Sequence, residues 1–260
     1  MISGKTRFVP LLAHPCRHVR TPPLFNAECE RQGVDMVMVP LDVRPDMLEQ
    51  TVASLQAVEN VAGMVITIPH KGSMAALCDR KVGAAELVGA CNVVRKEADG
   101  RLTGGMLDGE GFVAGLRHEG RDPAGRRTLL VGAGGAASGV AHALLQAGVA
   151  DLTIANRSSE KAEYLARQLA GFFPHARVVA GSAHPGGYDL VVNGTALGMH
   201  DGDPLPVNPL ELDEGSVVAE VVMQPDMTPL LIAAEARGCH IHKGIHMIEQ
   251  QVQLLVDFLK

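Results

Sequence analysis

A glycine-rich turn between a predicted strand and a predicted helix is the strongest chemical signal in the sequence. Gly132–Ala137 has the pattern G-x-G-x-x-A; it follows the apolar run Leu129–Val131 and precedes an apolar helical stretch. The first two glycines allow a tight turn and a close approach of backbone to a pyrophosphate, which then sits on the helix N-terminus. The predicted dinucleotide contacts are Gly132, Gly134, Gly135, Ala136 and Ala137.

The end of the next predicted strand indicates which dinucleotide would fit. A ribose 2′-hydroxyl is held by an Asp or Glu at this position, whereas a 2′-phosphate needs cations. Here the strand ends in Asn156-Arg157-Ser158, and Lys161 follows. Because Arg157 and Lys161 suit a phosphate, we expect NADP as the cofactor, with NAD also possible. The alternative is an ordinary solvated helix start with Ser158 as its N-cap.

Two isolated polar residues could carry acid-base chemistry. Lys71 follows Thr67-Ile-Pro69-His70 at the end of a buried run, and Pro69 excludes a helix that continues through this point. Asp108 lies in the glycine-rich segment 104–111. From spacing alone, Lys71 also fits a solvated surface lysine and Asp108 an Asp-Gly turn residue.

The elements that must position these residues alternate along the chain. In the first hundred residues, β-rich runs such as FVPLLA and MVMVPL alternate with helix-compatible stretches, which predicts a mainly parallel α/β sheet. Asp99-Gly100 is a hairpin signal, and the glycines of 104–111 predict a loosened chain at a domain junction. The segment after Gly244 has apolar residues at three- and four-residue spacings, which predicts an amphipathic helix.

Composition argues against several classes of protein. The chain has 260 residues, with 23 Lys and Arg against 29 Asp and Glu, and no basic cluster with interleaved aromatics, so nucleic acid is not the expected partner. The apolar stretch 128–150 is interrupted by glycines, which argues against a membrane span. His240, His242 and His246 have no nearby Cys or acidic partner that would form a metal set with them, and we expect no metal site.

The cysteines and the start of the chain bear on the cellular compartment. Five cysteines are scattered without a C-x-x-C pair, which fits a reducing cytoplasm, and the N-terminal residues do not read as a signal peptide. We therefore expect a cytoplasmic protein that acts on a small-molecule substrate. The sequence leaves a monomer and a homodimer both open.

Six ordered segments resemble motifs of the shikimate dehydrogenase family and its quinate/shikimate relatives. The segments are Val65–Lys71 (family N-V-T-x-P-x-K), Val88–Asn92 (G-A-x-N), Gly104–Asp108 (G-x-N-T-D), Gly132–Ala137 with Asn156–Ser158 (the NADP loop and clamp), Asn193–Met199 (N-A-T-P-L-G-M) and Met247–Gln251 (M-L-V-x-Q). Six motifs in family order are far more specific than any one of them.

The resemblance implies a two-domain α/β enzyme that transfers a hydride reversibly between NADP and a ring alcohol. It implies a βαβ substrate domain at 1–107, completed by a returning C-terminal helix in 244–260, and a Rossmann dinucleotide-binding domain at 108–243. Lys71 and Asp108 match the family's catalytic pair. The implied substrate-binding positions are Val19, Thr21, Thr67, Asn92, Met223 and Gln251, and further implied cofactor contacts are Thr195, Gly244 and Met247.

Five positions depart from the family motifs, each replacing a hydrogen-bonding side chain with an apolar one. The family segment H-S-x-S-P reads here as His18-Val19-Arg20-Thr21-Pro22. The replacements are Val19 for serine, Val65 and Met106 for asparagine, Leu107 for threonine and Met223 for tyrosine. A polar substrate group left without a partner costs about 1 to 3 kcal/mol, so a less polar ring alcohol is one expected substrate.

Two other interpretations stay open. One is an ordinary shikimate dehydrogenase with tolerated substitutions, in which Arg20 supplies a carboxylate contact. The other is a non-catalytic NADP-binding regulator, since the altered positions would also fit lost turnover.

Overall fold

The alternating β-rich and helical segments form two six-stranded sheets, one in each of two units of the chain. The computed structural model describes residues 2–17 and 19–260, so His18 of the segment compared with H-S-x-S-P lies outside the described residues. One unit comprises Met1–Leu107 with Gln251–Lys260, and the other comprises Asp108–Gln250.

The sheet of the first unit is parallel at one side and contains a hairpin at the other. Its strands are β1 (Arg7–Ala13), β2 (Met36–Asp42), β3 (Gly63–Ile66), β4 (Arg80–Lys81), β5 (Val93–Lys96) and β6 (Leu102–Gly105), in the order β2-β1-β3-β5-β6-β4. Strand β5 runs antiparallel to both β3 and β6. The chain turns back from β5 to β6 through the predicted hairpin at Asp99-Gly100. Gly100 has the positive φ of 83° that such a turn favours.

Four helices connect or cover these strands: α1 (Thr21–Gln32), α2 (Leu48–Gln56), α3 (Lys71–Leu77) and α4 (Ala84–Val88). One face of the sheet packs its apolar side chains with α2 and α3, through residues such as Val52 and Met74. The other face packs with Phe25 of α1 and with Leu255 and Leu259 near the C-terminus. The last residues of the chain therefore complete the core of the first unit.

The glycines that were expected to loosen the chain lie instead in a buried strand. Gly104 and Gly105 belong to β6, where a side chain would collide with its neighbours. A Cβ at Gly104 would lie 2.8 Å from the Cys78 Sγ, and one at Gly105 would lie 2.9 Å from the Phe258 ring. The prediction of a loosened segment was wrong here, because close packing and not flexibility requires these glycines.

The second unit contains a fully parallel sheet with helices. Its strands are β7 (Arg127–Val131), β8 (Asp151–Ala155), β9 (Arg177–Ala180), β10 (Leu190–Asn193), β11 (Val217–Glu220) and β12 (His240–His242), in the order β12-β11-β10-β7-β8-β9. Its helices are α5 (Asp108–His118), α6 (Gly135–Gln146), α7 (Ser159–Phe172) and α8 (Pro229–Ala236), and α9 (Ile245–Leu259) runs from this unit into the first. This order is that of a Rossmann fold, and the predicted α/β class is confirmed.

No helix among the described residues combines the length and the apolar composition needed to cross a membrane.

Helices α5 and α6 approach each other so closely that only glycine fits at their contact. A Cβ built on Gly109 would lie 2.0 Å from the carbonyl oxygen of Gly139 and 2.7 Å from the Cβ of Ala143. Gly139 and Ala143 are buried in α6. The contact therefore depends on the missing side chain at position 109.

We predict that Gly109→Ala destabilises the protein by about 1 to 3 kcal/mol or more, because the added methyl group overpacks this contact. The matched control is Gly171→Ala in α7, where a Cβ meets no atom within 4 Å. That variant is expected to gain about 0.5 to 1 kcal/mol from helix propensity. Urea unfolding of both variants checks the prediction, and equal stabilities would contradict it.

Candidate functional site

A cavity of about 840 Å³ lies at the carboxyl edge of the parallel sheet of the second unit. Three strand ends supply most of its lining, at Val131 of β7, Ala155 of β8 and the loop that follows β10. Strands β7 and β10 are neighbours, and their connections leave the sheet in opposite directions at this point. Ligands of open α/β sheets bind at such a switch point, outside the carboxyl ends of the strands.

The glycine turn after β7 has the conformation its sequence predicts. Gly132 has a φ of 122°, and a Cβ there would lie 2.9 Å from the backbone of Gly194. Gly134 lines the cavity, and a Cβ on it would meet nothing within 4 Å, so a ligand can approach its backbone. Gly134 is also the N-cap of α6 and offers no side-chain acceptor there. The first amides of α6 are thus available to an anion, which fits a pyrophosphate.

The other predicted residues of this turn shape it without lining the cavity. Gly135 and Ala136 form the first turn of α6 and are half-buried. Ala137 is fully buried, and a Cβ on Gly194 would lie 2.8 Å from that of Ala137. The small residues therefore let α6 pack against the loop after β10.

All four residues predicted to select the dinucleotide line the cavity: Asn156, Arg157, Ser158 and Lys161. The amide of Asn156 donates a hydrogen bond to the Ser158 carbonyl at 3.0 Å. Within the described part of the chain, neither Arg157 nor Lys161 forms an ion pair, and both are exposed. Two cations beside the cavity that form no ion pair with any described residue suit a phosphate.

The alternative role of Ser158, as a helix cap, agrees with its position but not with its hydrogen bonds. Ser158 is the N-cap residue of α7, yet its hydroxyl makes no capping hydrogen bond. The hydroxyl instead donates to the Glu160 carboxylate at 2.7 Å, which holds the pKa of Glu160 below its usual range.

Thr195 lines the cavity from the loop after β10 and is held by hydrogen bonds within that loop. Its hydroxyl donates to the Asn193 Oδ1 at 2.6 Å and accepts from the Leu197 amide at 3.0 Å. Thr195, Ala196 and Leu197 all border the cavity. The side chain of Asn193 therefore fixes part of the cavity wall.

Gly244, Met247 and Met223 are not among the residues that line this cavity. A Cβ on Gly244 would lie 2.2 Å from the carbonyl oxygen of Val222, so Gly244 packs against the loop after β11. Met223 in that loop is half-buried, and Met247 in the first turn of α9 is buried. Their proposed contacts to cofactor or substrate stay predictions.

In the first unit, backbone hydrogen bonds bring Thr67, Lys71 and Asn92 together at the carboxyl end of β3. The Ile66 amide donates to the Asn92 carbonyl at 2.7 Å, and the Cys91 amide donates to the Lys71 carbonyl at 3.0 Å. Thr67 follows β3 directly, and Lys71 begins α3. The Asn92 Oδ1 accepts from the Leu107 amide at 2.8 Å.

The remaining predicted residues of the active site lie at helix starts or on α9. Thr21 is buried at the first residue of α1, and Val19 just before it is half-buried. Gln251 is buried on α9, and Asp108 is buried at the first residue of α5. The predicted roles of all four stay predictions.

The five departures from the family motifs are not equivalent in the structure. Val65 and Met106 are core residues: Val65 is paired with Leu11 and Val93 in the sheet, and Met106 packs with the α2 and α3 face. Val19 and Leu107 are only partly buried against the core. Val19, Leu107 and Met223 are therefore the replacements that could alter substrate recognition, because they are not core residues.

Sequence reasoning missed the far wall of the cavity. This wall consists of the loop after β9, Gly181–Ala183, together with His200, Asp203 and the run Pro204–Pro206. Asp203 accepts backbone hydrogen bonds from His200 and Gly198, both at 3.0 Å, which keep its pKa below the usual range. The available signal was the general rule that every loop at this sheet edge can contribute.

Two of the three C-terminal histidines lie together, because the ring centroids of His242 and His246 are 5.1 Å apart. His240 is exposed, whereas His242 is fully buried against the Phe112 ring, with ring centroids 5.6 Å apart. Burial lowers the pKa of His242 to about 3. His246 also lies near the acidic Glu119 and Glu249.

Comparison with known proteins gives one consistent result. The family models described as "Shikimate dehydrogenase substrate binding domain" and "Shikimate / quinate 5-dehydrogenase" match residues 11–94 and 116–195. Over 257 residues the chain is 40% identical to the shikimate dehydrogenase (NADP(+)) of Rubrobacter xylanophilus, with 98% of this chain and 88% of that protein covered.

Two solved structures have similar folds. A shikimate dehydrogenase in complex with NADP+ has a TM-score of 0.91 at 30% identity, with 100% of this chain and 92% of that chain covered. The ligand-free 5-ketofructose reductase of Gluconobacter sp. strain CHM43 has a TM-score of 0.87 at 31% identity, with 99% and 94% covered.

We predict that Arg157→Gln weakens the binding of NADP by about 10- to 100-fold, because a hydrogen bond to a charged group contributes about 1.5 to 3 kcal/mol. The affinity for NAD, which lacks the 2′-phosphate, should stay nearly unchanged. Titration calorimetry with both dinucleotides measures this difference. The control is Arg167→Gln in α7, the helix that begins just after Arg157, at a position outside the cavity lining. An equal loss in both variants would contradict the prediction.

Proposed function

The chain belongs to the shikimate dehydrogenase family and is an NADP-dependent oxidoreductase, and we propose that it interconverts a ring alcohol and the corresponding ketone. Shikimate and 3-dehydroshikimate are the first candidate pair, which would give the chain a step in the shikimate pathway. The observation that carries the proposal is the cavity at the Rossmann switch point, bordered by the glycine turn and by Arg157 and Lys161.

The residues at this cavity fit NADP. The open backbone at Gly134 and the N-terminus of α6 would hold the pyrophosphate. Arg157 and Lys161 would hold the 2′-phosphate, with Ser158 and Asn156 beside them. When bound, NADP supplies the acceptor for the hydride that leaves the alcohol carbon.

Lys71 and Asp108 are proposed as the acid-base pair. Oxidation of an alcohol requires that the hydroxyl proton leaves while the hydride departs, and the Lys71 amine would accept that proton. Asp108 would orient the amine and hold the substrate hydroxyl. Acid-base help of this kind contributes about 10²- to 10⁴-fold in rate.

The substrate is proposed to bind to the first unit. Thr67 and Asn92 lie beside Lys71 at the carboxyl end of β3 and offer a hydroxyl and an amide. Thr21 and Gln251 are buried polar residues of the same unit and would complete the set of hydrogen-bonding partners. In this arrangement the first unit holds the ring alcohol and the second unit holds the cofactor.

A second candidate function is the reduction of another polyol ketone or a less polar cyclic ketone. It is supported by Val19, which stands half-buried where the family has a serine, and by the likeness to a 5-ketofructose reductase. Arg20, which is exposed beside Val19, would then decide whether a carboxylate still binds. A non-catalytic regulator is the least supported alternative, since Lys71, Asp108 and Gln251 are all present.

The proposal extends to the cellular compartment and the oligomeric state of the protein. All five cysteines are free, which supports a reducing compartment and hence the cytoplasm. A small molecule is the expected partner, and both a monomer and a homodimer are compatible with the chain.

We predict saturable reduction of NADP with shikimate as the alcohol, followed at 340 nm up to high millimolar substrate. Lys71→Ala should lower kcat by about 10²- to 10⁴-fold, because the hydroxyl proton loses its acceptor. Lys5→Ala, which removes an exposed lysine of the same unit, should retain full activity. Turnover that does not depend on Lys71 would contradict the assignment of the pair.

The substrate preference is tested by restoring the family hydroxyl. If the apolar residue limits recognition of shikimate, Val19→Ser should raise kcat/KM for shikimate by about 10-fold, the effect of one added hydrogen bond. Val39→Ser, at a 42% exposed position, serves as the control. An unchanged kcat/KM in Val19→Ser would favour tolerated substitutions, and absent turnover of shikimate would favour the second candidate.

A further inference from the structure

A buried carboxylate stands next to the cavity wall without lining the cavity itself. Glu220 is the last residue of β11 and is fully buried. It is the direct neighbour of Asn193, the last residue of β10, in the parallel register of the two strands. The Asn193 Nδ2 donates to the Glu220 Oε2 at 2.9 Å.

Asn193 also hydrogen-bonds to the loop that forms the cavity wall, and so connects this loop with Glu220. Its Nδ2 also donates to the Leu197 carbonyl at 3.0 Å, and its Oδ1 accepts from both the amide and the hydroxyl of Thr195, at 3.1 and 2.6 Å. Thr195 and Leu197 border the cavity. One amide side chain, itself 1% exposed, thus holds both ends of the segment 195–197.

Thr228 supports the carboxylate from the opposite side. Its hydroxyl donates to the Glu220 Oε1 at 2.8 Å and accepts from the Leu231 amide as the N-cap of α8. Its methyl group also lies near Gly198, where a Cβ would be 3.5 Å from it. Both carboxylate oxygens therefore have a fixed donor.

Hydrogen-bond donors face both oxygens of the Glu220 carboxylate. The groups that face it are the Asn193 amide from β10, the Thr228 hydroxyl from α8 and the backbone amides of Val221 and Val222. Within the described residues Glu220 forms no ion pair. Burial raises the pKa of Glu220 to about 7, while these hydrogen bonds oppose the rise. A buried carboxylate without a cation lowers stability, which calls for a functional reason.

We propose that Glu220 is a positioning residue for cofactor binding: through Asn193 it holds the loop 195–197 in the shape that the cofactor requires. This inference rests on the proposed cofactor site at the cavity. The ionised carboxylate is the stronger acceptor for the Asn193 amide, so the loop is held most firmly above neutral pH.

The carboxylate also has a predictable effect on stability. Its pKa in the folded protein lies above the value of 4.5 for an unburied glutamate, so the folded state keeps the proton longer than the unfolded state. Its contribution to the free energy of unfolding is therefore greatest below pH 4.5 and is lost as the pH rises toward 7. Replacing Glu220 by glutamine removes this pH dependence.

The decisive experiment measures the Kd for NADP by calorimetry and the Tm, at pH 6 and pH 8, for the wild type and three variants. Glu220→Gln and Asn193→Leu should each raise the Kd at pH 8 by about 5- to 50-fold, and the double variant should be no weaker than Asn193→Leu alone. Tyr188→Phe is the control: it removes the 2.9 Å hydrogen bond to Thr153 in the same unit, outside the loop, and should leave the Kd unchanged. The Tm of Glu220→Gln relative to the wild type should be more favourable at pH 8 than at pH 6.

The outcomes separate this inference from the proposed function. If the wild type binds NADP and Glu220→Gln keeps the same Kd, the positioning role is wrong while the function stands. Additive losses in the double variant would also overturn it, since Glu220 would then not act through Asn193. If the wild type binds no NADP, the proposed function itself fails. If Glu220→Gln does not fold, Asn193→Leu with an unchanged Kd is sufficient to overturn the role.

Discussion

The parallel register of β7, β10 and β11 is the constraint on which the second unit depends. In this register Val131, Asn193 and Glu220, the last residues of the three strands, are cross-strand neighbours at the same sheet edge. Because parallel strands deliver their following loops to one edge, a glycine turn, a helix N-terminus and a hydrogen-bonded loop meet around one cavity. The cavity is thus a product of strand pairing, and the side chains only refine it.

Small residues allow the loops at this sheet edge to pack closely against each other. Gly132 and Gly194 let two loops pass within contact distance, and Gly244 does the same for the loop after β11. The buried polar side chains at this edge, Asn193 and Glu220, hydrogen-bond to each other, and Asn193 also hydrogen-bonds to the loop 195–197. A shift in one of these loops would therefore be felt in the cavity wall.

Much of this architecture is predictable from the sequence. Alternation and the motif Gly132–Ala137 predict the Rossmann strands and the turn, because β-rich runs and glycine positions are local signals. Local signals do not show that Gly104 and Gly105 serve packing, since their neighbours Cys78 and Phe258 are distant in sequence. They also do not separate Val65 and Met106, which are core residues, from Val19, which is partly buried. The far wall at Pro204–Pro206 carries no motif, and only the three-dimensional arrangement identifies which residues of its loop border the cavity.

The most direct test of the account follows the hydride itself. The protein is incubated with NADPH deuterated at the nicotinamide C4, separately on each face, and with 3-dehydroshikimate, and the ring alcohol formed is analysed by mass spectrometry. The account predicts that one deuterium from one face appears at the carbinol carbon. It also predicts that Lys71→Ala transfers this deuterium about 10²- to 10⁴-fold more slowly than the wild type. No deuterium in any ring alcohol, from either face, would contradict the account.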